Sequence, residues 1–220
     1  MGGSPGVGPA CAVSAMERIG VFGGTFDPPH YGHLATAEEA GDRLDLGRVL
    51  FVPTGIPPHK PGEPITPAPL RVRMVELAIA DNPRFVLSRA DVDRPGPSYT
   101  ADLLAQLRAE LGATTALYFI CGMDMLATLP TWYAPERVLA QCQLVAVTRP
   151  STPPVDLAAL ERVLPMARGR VTILHAPGLD ISGRDIRARI AEGRTIRYLV
   201  PPGVAEFVAA AGLYRGPHHR

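Results

Sequence analysis

The sequence predicts an α/β fold: a Rossmann-like, doubly wound parallel sheet with helices on both faces and a small helical portion at the C-terminus. Short runs rich in β-branched and aromatic residues alternate with stretches of helical periodicity, which is the pattern of βαβ units. Apolar residues make up 46% of the 220 residues, enough for a substantial buried core. Such sheets bind ligands where strands end and helices begin. The most polar motifs of this chain fall at those positions.

Six runs have the length and composition of buried strands, and the stretches between them have helical patterns. The predicted strands are Arg18–Phe22, Arg48–Val52, Arg84–Ser88, Thr115–Cys121, Gln143–Thr148 and Arg170–Leu174. The predicted helices are Leu34–Leu44, Leu70–Ala80, Ala101–Leu111, Pro135–Ala140, Val155–Leu164, Ser182–Glu192 and Val204–Leu213. The loop Pro53–Pro69 is long and rich in proline, and loops of this length in compact domains are often functional.

The chain length suits one domain, which we place at residues 18–214. Residues 1–17 are rich in Gly, Pro, Ser and Ala and lack the charged and apolar regions of a signal peptide, so we expect a flexible tail there. We expect residues 215–220 to form a disordered C-terminal tail. Translation starting at Met16 rather than Met1 is also compatible with this pattern.

Charge and cysteine content narrow the function classes. The net charge of +1 provides no basic field for a polyanion, so we expect no nucleic-acid partner. No apolar run approaches the ~20 residues of a membrane span, so we expect no membrane association. The three cysteines form neither a CxxC pair nor an even disulfide set, which is typical of a cytoplasmic protein. The sequence leaves open whether the chain forms a homo-oligomer.

The stretch FGGTFDPPHYGH, residues 22–33, follows the first predicted strand and leads into a helical pattern. Gly23 and Gly24 lack a Cβ and let the backbone approach a ligand closely. His30 and His33 would stand near a helix N-terminus, where backbone donors already favour anions. This combination predicts a phosphate-binding turn. The alternative is a glycine-rich turn whose histidines only cap the helix.

This stretch resembles the nucleotidyltransferase signature G-[ST]-F-D-P-x-H-x-G-H, in which two histidines line the α-phosphate of a nucleoside triphosphate. Five later segments resemble, in order, the bacterial nicotinate mononucleotide adenylyltransferases: FVPTGIPPHK, GPSYTADLL, FICGMDMLATLPTW, ISGRDIRARI and RYLVPPGVAEFV. The resemblance extends over residues 18–214. The first motif belongs to the whole superfamily, whereas the PPHK, SYT and G-x-D…W segments are more specific to this family.

The resemblance implies that ATP and nicotinate mononucleotide are joined to give nicotinate adenine dinucleotide and pyrophosphate, a step of NAD biosynthesis. The attacking group is a phosphate oxygen that is already ionised at neutral pH, so neither a strong base nor a covalent nucleophile is needed. The chemistry calls for Mg²⁺, which we expect to be held mainly by the ATP phosphates. We predict no protein ligand for the metal.

The resemblance also assigns roles to individual residues. The catalytic residues would be His30, His33, Lys60 and Arg187. ATP would be bound by Gly23, Gly24, Thr25, Phe26, His30, His33, Gly122, Asp124, Ser182 and Arg187. Nicotinate mononucleotide would be bound by Tyr99, Thr100 and Trp132, with Trp132 stacked on the nicotinate ring. Asp27 would either tighten the turn through an Asx-type bond or contact the ligand.

Other polar residues have simpler interpretations. Ser182 and Asp185 have the spacing of a capping box at the start of a helix. The family usually reads I-S-S-T-x-I/C-R at this point, whereas this chain has Gly183 and Arg184 in the middle. Arg71 and Arg73 are expected on a solvated helix face. Cys121 and Cys142 are expected to be small buried hydrophobic residues.

Three other functions compete with this interpretation. A related nucleotidyltransferase, acting on phosphopantetheine or using CTP, would share the first motif but not the SYT and G-x-D…W segments. A non-catalytic nucleotide sensor of the same fold would fit the altered ISGRDIR segment, although both histidines are present. A class I tRNA synthetase fragment would need a basic tRNA-binding region that this nearly neutral chain lacks.

Overall fold

The computed structural model describes residues 16–57, 65–148, 152–176 and 178–216, and it contains all six predicted strands. The strands are β1 (Arg18–Gly24), β2 (Arg48–Pro53), β3 (Phe85–Leu87), β4 (Ala116–Gly122), β5 (Gln143–Thr148) and β6 (Val171–His175). They form one parallel sheet in the order β3-β2-β1-β4-β5-β6. This is the doubly wound order, in which the chain reverses direction across the sheet between β1 and β4.

Eight α-helices follow or separate the strands in the described part of the chain. They are α1 (Tyr31–Arg43), α2 (Ala68–Ile79), α3 (Thr100–Leu111), α4 (Met123–Ala127), α5 (Pro135–Gln141), α6 (Leu157–Val163), α7 (Gly183–Ala191) and α8 (Pro202–Ala210). The seven predicted helices are confirmed with shifts of a few residues at their ends. The short helix α4 was not predicted, because five residues are too few to show helical periodicity.

Helices cover both faces of the sheet, as predicted. One apolar cluster packs β-strand residues such as Val21 and Phe119 against α3 to α6. The other packs residues such as Phe51 and Val145 against α1, α2, α7 and α8. The central strands are buried on both faces, which explains their continuous apolar sequence. Helices α7 and α8 form the predicted C-terminal helical portion.

Burial agrees with the prediction for the two cysteines but not with the prediction for one of the two arginines of α2. Cys121 and Cys142 are buried, as predicted, and burial raises the pKa of the Cys142 thiol to about 12 and raises the pKa of Cys121 as well. Both thiols are therefore held protonated and act as small hydrophobic groups. The prediction for Arg71 is wrong: its side chain is 2% exposed and bonded inside the protein, whereas Arg73 is exposed as predicted.

None of the helices in the described ranges is both long enough and apolar enough to span a membrane. The predicted tails lie mostly outside the described residues, so the proposed domain limits stay predictions. Lys60 and the two residues before it in the PPHK motif also lie outside them, whereas Pro57 is described.

Candidate active site

The crevice at the strand switch point lies beyond the carboxyl ends of β1 and β4. These strands pair in parallel, with Phe22 opposite Ile120. The next residues on β1 are Gly23 and Gly24, and β4 ends at Gly122, which is the N-cap of α4. The fold therefore brings the first motif and the G-x-D motif to one edge of the sheet, where α/β proteins bind ligands.

A cavity of about 630 Å³ opens at this edge. Its lining contains seven of the predicted site residues, which come from four separate segments of the chain: Gly23, Gly24, Thr25, Tyr99, Thr100, Asp124 and Trp132. The cavity has the size and the mixed apolar and polar lining of a small-molecule site. The structure thus joins the predicted acceptor residues to the glycine turn, although they are up to 109 positions apart in the sequence.

Aromatic rings form much of the cavity wall. Trp132 follows a short 3₁₀ turn and is half-buried, with its ring edge-on to Phe119 at a centroid distance of 6.0 Å. Its Nε1 donates to Thr128 Oγ1 at 3.3 Å, which fixes the ring orientation. Tyr99 and Tyr133 lie against each other with centroids 4.4 Å apart. Flat rings of this kind offer faces on which an aromatic ligand can stack.

The two histidines stand at the start of α1 and are not part of the cavity lining. His30 is the N-cap and is 2% exposed, and its ring stacks on that of His33 at 3.7 Å between centroids. The His30 backbone N–H donates to His33 Nδ1 at 3.2 Å. The histidines therefore do cap the helix. In a neutral His33 ring this bond places the proton on Nε2, which is then a donor.

Gly32 makes this histidine pair sterically feasible. A Cβ at position 32 would lie 3.0 Å from His30 Nδ1, tighter than nine in ten real Cβ contacts. Any other residue between the histidines would press the His30 ring away from the helix backbone by a few tenths of an ångström, so the close approach favours glycine. Phe26, by contrast, is buried beside Phe22 and His33, so only its backbone faces the turn.

Asp27 connects this turn to distant parts of the chain. Its Oδ1 accepts a hydrogen bond from the Tyr214 hydroxyl, and its Oδ2 accepts one from the backbone N–H of Thr66 at 3.2 Å. The Asp27 backbone carbonyl accepts a bond from Arg187 Nη1 at 2.6 Å. Asp27 as a whole residue is 7% exposed. Its described partners are therefore structural and lie far from it in the sequence.

Ser182 precedes α7 and Arg187 lies at its middle, where the Arg187 bond holds the helix against the first motif. Ser182 is the N-cap, its Oγ accepting from the Asp185 N–H at 3.1 Å and donating to Asp185 Oδ2 at 2.7 Å. The predicted cap is confirmed. The second helix N-terminus therefore stands next to the turn that carries the histidines.

Two further lining residues were not among the predicted site residues: Asp91, which no motif indicated, and Ser98, which is the first residue of the SYT motif. Asp91 is 4% exposed, lines the cavity, and pairs with Arg94 while accepting from the Gly55 N–H at 2.9 Å. Ser98 Oγ accepts from the Ile56 N–H at 3.0 Å. These bonds fix the chain after β2 to the chain before α3, and only the folded backbone reveals them.

Comparison with known proteins shows the family to which the chain belongs. The cytidylyltransferase-like family model matches residues 21–189. A protein of Thermomicrobium roseum called a probable nicotinate-nucleotide adenylyltransferase is 50% identical over 91% of this chain and 92% of its own. One of the same description from Moorella thermoacetica is 44% identical over 92% of this chain and 94% of its own. The chain belongs to the nicotinate-nucleotide adenylyltransferase family.

Solved structures of such adenylyltransferases have the same fold. A Plasmodium falciparum nicotinic acid mononucleotide adenylyltransferase, complexed with NaAD, superposes with a TM-score of 0.73 over 90% of this chain and 97% of its own. Its sequence is only 19% identical, so this likeness concerns the fold alone. The nicotinate-nucleotide adenylyltransferase family assignment rests on the closer relatives.

Proposed function

We propose that the protein transfers the adenylyl group of ATP to nicotinate mononucleotide, releasing pyrophosphate and forming nicotinate adenine dinucleotide. One observation carries this proposal: Tyr99, Thr100 and Trp132 line the same cavity as the Gly23–Thr25 turn. An aromatic acceptor and a triphosphate can meet there. Membership of the adenylyltransferase family supports the same reaction and a place in NAD biosynthesis.

The transfer needs positioning and charge neutralisation more than proton transfer. The acceptor phosphate oxygen attacks the α-phosphorus in line, the bond to the β-phosphate oxygen breaks, and pyrophosphate leaves with that electron pair. We propose that His33 Nε2 and the buried His30 ring donate hydrogen bonds to α-phosphate oxygens. The N-terminus of α1 adds its dipole to the same anion.

The β- and γ-phosphates would lie toward α7. Its first-turn backbone N–H groups and the Arg187 guanidinium are suited to anions. Arg187 uses one Nη1 bond on the Asp27 carbonyl, and a guanidinium carries five N–H groups, so donors remain for a phosphate. Lys60 is proposed as a further cation on the strength of its motif. Mg²⁺ would arrive with ATP and keep mainly phosphate and water ligands.

The adenosine of ATP would lie along the glycines of β1 and the start of α4, contacting Gly122 and Asp124. The nicotinate ring would stack on Trp132, whose orientation the Thr128 bond sets. Thr100 is the first residue of α3, so the N–H groups of Thr100 and Ala101 come before the first residues that donate to the Tyr99 carbonyl, which are Asp102 and Leu103. These donors suit the nicotinate carboxylate and would favour the acid over the amide.

A product assay tests the proposal. The purified chain is incubated with ATP, Mg²⁺ and either nicotinate mononucleotide or nicotinamide mononucleotide, and pyrophosphate and dinucleotide are measured by chromatography. We expect turnover with a higher kcat/KM for the nicotinate substrate.

Phosphopantetheine with ATP, and nicotinate mononucleotide with CTP, serve as the contrasting substrate pairs. Turnover with either of these alone would replace the proposed reaction. Binding of ATP without pyrophosphate release in any mixture would identify a nucleotide sensor.

A further inference from the structure

A buried guanidinium lies behind the cavity wall. Arg71, in the first half of α2, donates from Nε to the Thr66 carbonyl at 2.8 Å and from Nη1 to the Thr25 carbonyl at 2.8 Å. Its Nη2 donates to the Thr54 carbonyl at 2.7 Å and to the Gly55 carbonyl at 3.4 Å. All four acceptors are backbone oxygens.

The four acceptors belong to three separate segments. Thr25 lies in the turn after β1, Thr54 and Gly55 follow β2, and Thr66 precedes α2. Thr25 and Thr54 both line the cavity. The Arg71 side chain thus joins the phosphate side of the cavity to the wall that leads toward the acceptor side.

Such burial of a charge is costly unless its donors are satisfied. Burial lowers the pKa of Arg71, and the nearby Asp27 carboxyl group opposes that effect. The four bonds use three different nitrogens of the guanidinium, Nε, Nη1 and Nη2, which the single ammonium nitrogen of a lysine cannot replace. Salt-bridge formation or solvation, the usual uses of a helix arginine, do not explain this arrangement.

We propose that Arg71 is a positioning residue for adenylyl transfer, holding the Thr25 turn at a fixed distance from the Thr54–Gly55 segment. This inference depends on the proposed function. In-line transfer is sensitive to the separation of the two phosphates, and a displacement of about 1 Å can cost about 10²-fold in rate. Arg71 controls that separation from outside the site, without contacting either substrate.

Kinetics of Arg71→Lys provide the first test, with Arg73→Lys as the matched control on the exposed face of the same helix. We expect kcat of Arg71→Lys to fall about 10²-fold while KM for each substrate stays within about threefold. Arg73→Lys should match the wild type. If Arg71→Lys does not fold, Arg71→Gln, a smaller planar donor without charge, is measured in the same way.

Rates are expressed per folded molecule, determined by circular dichroism at the assay temperature. A role in stability alone would lower the melting temperature and leave this normalised kcat unchanged, which would overturn the proposal. A wild-type protein that gives no product would instead refute the proposed function.

Hydrogen exchange provides a test that does not need activity. The Thr54 N–H donates to the Gly24 carbonyl at 2.9 Å, and the Gly55 N–H donates to Asp91. We expect these amides to exchange at least tenfold faster in the Arg71 variant than in Arg73→Lys, with β5 amides unchanged. Equal protection of residues 52–57 in both variants would overturn the proposal whether or not the wild type is active.

Discussion

At the scale of single residues, the first motif combines a close backbone approach with a fixed ring pair. Gly32 leaves room for the His30 ring, and the His30 N–H fixes the tautomer of a neutral His33. The sequence motif predicts which residues handle phosphate. It does not predict that the second ring is held by the backbone of the first, because that bond depends on the geometry of the helix start.

Removing either ring should therefore weaken phosphate contacts. We expect His30→Ala and His33→Ala each to lower kcat by about 10²–10³-fold, by analogy with the loss of a donor from an oxyanion hole. Steady-state kinetics with ATP and nicotinate mononucleotide measure the effect. His175→Ala, at the exposed end of β6, is the control and should retain full turnover. Near-normal kcat in both motif variants would contradict the assignment.

At the scale of elements, the start of α7 explains one departure from the family pattern. A Cβ at Gly183 would lie 2.9 Å from the Asp27 carbonyl oxygen, the same oxygen that Arg187 binds. Helix α7 therefore packs so closely against the first motif that a serine at position 183 would force backbone to move. In this chain Gly183 lacks the hydroxyl of a serine but allows α7 to lie closer to the first motif.

Alanine substitution at two helix starts tests this packing. Gly203 lies in the first turn of α8, where a Cβ would meet Leu77 at an ordinary 3.6 Å. We expect Gly203→Ala to raise the free energy of unfolding by about 0.5–1 kcal/mol. Gly183→Ala should lower it despite the same gain in helix propensity, because a backbone oxygen stands in the way. Urea denaturation measures both, and stabilisation by Gly183→Ala would contradict the close contact.

The strands and most helices could be predicted because their apolar pattern is local. The strand positions agree closely, although β1 continues through Gly23 and Gly24, two residues beyond its predicted end at Phe22. The burial of Arg71 and Asp91 could not be predicted, since it depends on bonds to backbone atoms of segments up to 46 residues away, in addition to the local pair of Asp91 with Arg94. The motifs therefore predict which residues the site contains, whereas its supporting contacts appear only in the folded chain.

At the scale of the whole molecule, a hydrogen bond joins the first motif to a residue 187 positions later in the chain. The Tyr214 hydroxyl follows α8 and donates to Asp27 in the first motif. Burial and this bond raise the pKa of Tyr214 above its ordinary value. The folded protein consequently keeps the phenolic proton to a higher pH than the unfolded chain does.

This difference makes the stabilising effect of Tyr214 dependent on pH. The unfolded chain loses the proton near pH 10, so the contribution is complete below that pH and declines as pH rises further. We expect Tyr214→Phe to lower the free energy of unfolding by about 1 kcal/mol at pH 7 to 9. The difference from the wild type should shrink at pH 10.5.

Urea denaturation at each pH gives these values, with Tyr198→Phe as the control because that side chain is 83% exposed. The control should differ little from the wild type throughout. If the difference in the free energy of unfolding between Tyr214→Phe and the wild type stayed constant up to pH 10.5, that result would contradict the raised pKa of Tyr214.

The contact between Asp27 and Tyr214 also has a consequence for synthesis on the ribosome. The two residues are 187 positions apart, so at about 5–20 residues per second the acid is made about 10–40 s before its partner. Nascent chains that have not reached the final helix lack the hydroxyl that anchors this turn. The Asp27 carboxylate can therefore gain its bond from Thr66 well before its bond from Tyr214.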